Sequence, residues 1–152
     1  MPLKIKIFMW YLKRDVILTK DNLARRNWNG NKLCCFCSND ETIQHLFIDC
    51  HVAKFLWRAV QFAFDLNPPR SITHLFGNWL RGVGTKLKRQ LLVGTSALCW
   101  AIWLSRNDVV FDKSPTKTYY RYCIEEPIGS DSGHSYKGVT KTRRQYRRHV
   151  KP

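Results

Sequence analysis

Apolar positions recur at three- and four-residue intervals from the N-terminus to about residue 113, the signature of a chain built from helices. In LKIKIFMWYL, Leu3 to Leu12, the alternation Lys4-Ile5-Lys6-Ile7 would suit a short strand, whereas Ile5, Phe8, Met9 and Leu12 form a helical stripe. The helical reading is preferred because every later element is helical. Val16-Ile17-Leu18 is an apolar connector, and Thr19 is placed to cap a helix with Asp21 in its first turn, running through Leu23, Ala24 and Arg26. Trp28-Asn29-Gly30-Asn31 breaks that helix with residues that tolerate left-handed backbone. Ser38, Asn39 and Asp40 supply turn residues and candidate caps for a following helix, with Glu41 in its first turn and Ile43, Leu46, Phe47 and Ile48 as its apolar side. HVAKFLWRAVQFAF then places Val52, Phe55, Leu56, Ala59, Val60 and Ala63 at helical spacing, and Asn67-Pro68-Pro69 is expected to end the run. Ser71 caps a shorter helix closing at Gly82 and Gly84. A long last helix begins near Thr85 and runs through Leu87, Leu91, Leu92, Leu98, Ala101, Ile102 and Val109-Val110, with Gly94 as its weak point.

The pattern stops at Ser114-Pro115. Beyond it Gly, Ser, Lys and Arg dominate, and the final KGVTKTRRQYRRHVKP has no acidic residue, which reads as a disordered basic tail. The expected architecture is therefore all-α: a small helical domain over residues 1–113 and a basic tail over 114–152. A chain of 152 residues with 44% hydrophobic content suffices for one buried core. The longest apolar run, Leu91 to Leu104, is too short to span a bilayer and reads as a buried helix. No signal-peptide pattern is visible at the N-terminus, MPLKIKIFMWYLKRD.

Charge narrows the partners. A formal net charge of +15, with a pI near 9.9, points to polyanions, nucleic acid first and an anionic membrane a distant second. No small-molecule substrate is implied, and such binding carries no sequence preference. The cations fall into two groups. Lys4, Lys6, Lys13, Arg14, Lys20, Arg25 and Arg26 lie in the N-terminal part, and Arg143, Arg144, Arg147 and Arg148 lie in the tail. Against phosphate contact stands the plainer reading of a solvated basic face; the scarcity of offsetting acids favours contact. Trp100 and Trp103, three apart, could stack bases, but a helical aromatic stripe is more often core. The tail has the composition of a nuclear-import signal, yet nothing else bears on localisation.

One stretch demands a particular chemistry. CCFCSNDETIQHLFIDC contains Cys34-x2-Cys37-x7-His45-x4-Cys50, three thiols and one imidazole, the donor set that tetrahedral Zn²⁺ takes in a closed structural site. Two intervening residues put Cys34 and Cys37 on one turn, His45 on the following helix and Cys50 just past its end. Four protein ligands leave no open position for a reactive water, so one structural ion and no catalysis is the expectation. Cys35 and His51 flank ligands, but a swap to either gives poorer spacing. The plainer reading of the four is buried thiols with a surface histidine. A disulfide framework or a thioredoxin-like motif is disfavoured without secretory or βαβ context. Cys99 is read as core, Cys123 as a free surface thiol and His74 as a surface histidine.

Pro2-Leu3-Lys4 with Phe8-Met9-Trp10, then TKDNLARR at Thr19 to Arg26, the ligand cluster inside ETIQHLFIDC, and Trp57 together resemble the zinc-binding domain of plant non-LTR, LINE-type, reverse transcriptases. WAIWLSRNDVVF, Trp100 to Phe111, is similar to the helix that follows in those proteins, so the resemblance covers about Pro2 to Lys113. It implies a module lying downstream of a polymerase, often followed by an RNase H domain, that helps hold template RNA or target DNA. A polymerase domain of a retroelement is thus an implied partner. No YxDD-like aspartate pair is present, and Glu125, Glu126 and Asp131 sit together in a Gly/Ser-rich segment unlike an RNase H site. The tail departs from the family pattern. The expectation is a non-catalytic zinc module of retroelement origin; the alternative is a structural or protein-docking domain, or a decayed fragment, with no nucleic-acid role.

Overall fold

A computed structural model describes residues 1–111 of the chain. The 113/114 boundary, the tail with Arg143, Arg144, Arg147 and Arg148, and Cys123 lie outside the described residues. The architecture is all-α, as the periodicity predicts: α1 (Leu3–Lys13), α2 (Lys20–Ala24), a π-helical turn (His45–Asp49), α3 (His51–Phe64), α4 (Ile72–Phe76) and α5 (Thr85–Phe111). Among the described residues the sole β feature is an antiparallel bridge between Leu33 and Asp40. No helix there is long and apolar enough to cross a membrane.

The first helix resolves the ambiguity of LKIKIF. Ile5, Phe8 and Leu12 are buried along one side, while the Lys4/Ile7 side faces out, so the 3.6-residue period prevails over the two-residue one. Phe8 meets Trp100 of α5 edge-on at 5.1 Å and Phe47 of the π-turn at 6.0 Å. Helix α5, 27 residues and about 40 Å long, is the spine of the domain. Leu91, Cys99 and Ile102 carry its buried stripe into a core shared with Leu12, Ile17, Leu46, Phe47 and Trp57. Burial pushes the Cys99 thiol up to about 12, as expected of a core thiol.

Several boundaries differ from the expected ones. Helix α2 ends at Ala24, not Arg26, because Arg26 N bonds back to Leu23 O and Asn27 adopts φ 64°. Thr19 precedes α2, but its hydroxyl donates to the Asp21 carboxylate instead of capping the helix. The break beyond α2 needs its glycine: a Cβ on Gly30 would fall 1.9 Å from the Trp28 ring. That lets Trp28 close a small second cluster with Leu23, Leu18, Val110 and Phe111. The proline pair does not end α3. Asp65, left-handed at φ 50°, ψ 40°, ends it just after Phe64. The buried side of α3 is also rotated from the expected stripe. Val52, Ala53 and Trp57 are buried, whereas Phe55, Ala59 and Ala63 are exposed. Ser71 caps α4 as expected, its Oγ accepting from His74 N at 3.0 Å, but the helix stops at Phe76 and turns lead to Gly82.

Candidate metal centre

The ligand loop is held in place before any ion is considered. Cys34 N donates to Asn39 O at 2.7 Å and Glu41 N to Lys32 O at 2.8 Å, which folds residues 32–41 into a knuckle. The following helix is capped by Thr42, whose Oγ1 accepts from His45 N at 2.9 Å; Ser38, Asn39 and Asp40 do not cap it. It then widens into a π-turn in which Cys50 N reaches His45 O at 2.7 Å. Residues five apart lie roughly 140° round an α-helix of 3.6 residues per turn. The wider winding brings Cys50 back toward the side that carries His45. Cys50 itself, at φ −59°, ψ 143°, leaves the helical region and starts α3.

Ligand atoms of Cys34, Cys37, His45 and Cys50 all lie within 4.8 Å of one another, with Cys37 Sγ 3.0 Å from His45 Nε2. Around a tetrahedral zinc, bond lengths of 2.0–2.3 Å imply donor separations of about 3.6–3.8 Å, so the Cys37–His45 pair would open slightly to take one ion between the four donors. The donor set and its partial burial, with Cys34 and Cys50 buried and Cys37 and His45 half-buried, suit a closed site. Phe36 N points at Cys34 Sγ at 3.5 Å and Asn39 Nδ2 at Cys37 Sγ at 3.8 Å, outer contacts that favour thiolates. The Cys34 thiol is drawn well below its ordinary value by hydrogen bonds from the Cys35 and Cys50 side chains. Those two are driven up, first by the same bond to Cys34 and then by burial.

Cys35 forms a second possible group with Cys34 and Glu41. The Glu41 carboxylate is already committed. Fully buried, it accepts from Arg106 Nη2 at 2.6 Å, Arg106 Nε at 3.1 Å and Lys20 N at 3.0 Å. The Cys34, Cys37, His45 and Cys50 set is therefore the better site. His51 opens α3 in an exposed position and belongs to neither group.

The Glu41–Arg106 pair was not anticipated; Glu41 was expected only as a first-turn residue suited to a helix start. The signal was present in α5, where Arg106 continues the 4-3-4 spacing of Thr95, Cys99 and Ile102 on the buried stripe. An arginine on such a stripe requires a buried partner. It joins the ligand knuckle to the far end of α5, the longest helix among the described residues.

The basic residues are not equivalent. Lys4, Lys6 and Lys13 are exposed on α1, Arg14 just past its end, and Arg26 beyond α2. Arg25 is exposed but turned onto Asp15 at 3.4 Å and Asp21 at 3.6 Å. Lys20 departs from expectation, being buried with its ammonium on the Leu33 carbonyl, where it braces the knuckle. Trp100 and Trp103 pack as core aromatics: both lie against Phe8, with Lys4 over Trp100 at 6.0 Å and Arg106 over Trp103 at 5.0 Å. His74 is half-buried on α4, its Nδ1 accepting from Arg70 N at 3.2 Å.

Residues 1–57 match a family model described as zinc-binding in reverse transcriptase. The matched segment contains the whole four-donor cluster and stops at Trp57, whose Nε1 donates to Phe47 O at 2.8 Å behind the π-turn. No curated protein and no solved structure matches the chain.

Proposed function

We propose that this protein is a structural zinc module that binds RNA or DNA through phosphate contacts, without sequence preference and without catalysis of its own. The observation that carries the reading is the four-donor cluster inside a segment matching a reverse-transcriptase zinc-binding family. The ion would sit among Cys34, Cys37, His45 and Cys50 and tie the knuckle to the start of α3. Its chemistry there is coordination alone, since four protein donors fill a tetrahedron. The binding surface would be the exposed cations Lys4, Lys6, Lys13, Arg14 and Arg26, with Arg25 held beside them by Asp15 and Asp21, Lys20 bracing the knuckle, and Arg143, Arg144, Arg147 and Arg148 adding charge from the tail. Further support comes from Lys86, Lys88 and Arg89, exposed in the first turns of α5. Cations at a helix N-terminus oppose its dipole by some 0.3–1 kcal/mol each, so stability does not account for them. A plant LINE-type origin, in which the module helps hold template RNA or target DNA beside the polymerase, is part of this proposal and rests on the resemblance of TKDNLARR and WAIWLSRNDVVF.

The test is affinity for RNA and DNA as a function of salt. Contact with several phosphates predicts a log–log slope of about −0.7 to −0.9 for each one neutralised. A slope near zero, or no binding at low salt, refutes the nucleic-acid role and leaves a docking module.

A further inference from the structure

Helix α1 has two apolar sides. Ile5, Phe8 and Leu12 fill the core, yet Leu3, Ile7 and Trp10 are 71%, 45% and 53% exposed on the opposite side. With Arg14 they follow a 4-3-4 spacing, so they share one outward face, and Tyr11 flanks it at 45% exposure. Lys6 and Lys13, seven residues or about 10 Å apart, line one edge of that face. There is no acidic residue in the helix. Trp10 is held rather than loose: the Arg14 guanidinium lies 5.3 Å from its ring centre and Tyr11 meets it edge-on at 5.2 Å.

We infer that this face of α1 is a seat for single-stranded nucleic acid, with Trp10 as the stacking platform and Lys6 and Lys13 as phosphate contacts. The inference rests on the nucleic-acid reading above and adds a location and a strandedness to it. Charge complementarity selects the occupant: an apolar stripe with an exposed tryptophan, edged by lysines and lacking acids, matches a polyanion that also presents flat apolar faces. A single strand does so; a duplex keeps its base faces stacked within itself. Trp100 and Trp103, the other tryptophans weighed for base stacking, are half-buried against Phe8, whereas Trp10, with Arg14 beside its ring, keeps 53% of its surface exposed.

The experiment measures the full zinc-loaded chain against a labelled oligo(U) and a duplex RNA of equal length, with Trp10→Ala and a Lys6→Gln/Lys13→Gln double variant alongside. Trp10→Ala should weaken oligo(U) binding roughly five- to a hundredfold at unchanged salt slope, the range for loss of one base stack, and leave duplex binding within twofold. The lysine variant should reduce the salt slope by about 1.4, two single-strand contacts. Wild-type binding that neither variant alters overturns the seat on α1 and keeps the electrostatic reading; absence of any wild-type binding overturns both. Tighter binding to phosphatidylserine vesicles than to oligo(U), lost in Trp10→Ala, would assign the face to membrane and overturn the inference. Circular dichroism and zinc content confirm the fold of each variant, and if Trp10→Ala misfolds, the lysine variant alone decides.

Discussion

Glu41 and Arg106 show how much a single pair constrains this molecule. Both side chains are fully buried, and their contact joins the metal knuckle to the last turns of α5. Removing one member strands a charge in the interior, at a cost of about 3–5 kcal/mol, whereas replacing both with apolar residues removes the desolvation problem as well. Arg106→Met is therefore expected to lose about 3–5 kcal/mol in urea unfolding with zinc present, and Glu41→Leu/Arg106→Met to lose less than Arg106→Met alone. Additive losses would mean that the two side chains act independently. At this scale the sequence was legible where chemistry restricts spacing, as with Cys34, Cys37, His45 and Cys50, which the fold brings together. It was opaque where a residue's role depends on a distant partner: nothing local distinguishes Glu41 in a first turn from a solvated glutamate, or Lys20 on the Leu33 carbonyl from a surface cation.

Among the elements, α5 was the most legible, because its 3.6-residue pattern extends over many turns and names its own buried side. The glycine within it is open: Gly94 is exposed, and a Cβ there meets nothing within 4 Å. Gly94→Ala should accordingly stabilise the domain by about 1 kcal/mol in urea unfolding, the propensity difference alone. A loss of stability would show that α5 is not continuous at that position. The shorter elements were legible in kind but not in extent. Helix α3 was expected to run to the prolines, but a left-handed Asp65 stops it, a conformation for which aspartate is only modestly enriched. The π-turn had no local signal, since His45 to Asp49 reads as the last turn of an ordinary helix, with Cys50 just past its end.

For the whole molecule, the segment that matches the reverse-transcriptase family is not a separate body. Residues 1–57 hold the donors, but Phe8, Phe47 and Trp57 pack with Trp79, Leu91, Cys99 and Ile102 from the remainder in one core. The ion would therefore support the whole described domain. Metal binding in zinc-finger peptides supplies about 10–16 kcal/mol, comparable with the net stability of a domain. The direct measurement is thermal unfolding of the full chain, followed by circular dichroism, with one equivalent of zinc and with a strong chelator in excess. The account predicts one bound ion per chain and a cooperative transition that collapses when zinc is withdrawn, with His45→Ala behaving like the chelated wild type. Superimposable melts with and without the ion would contradict it.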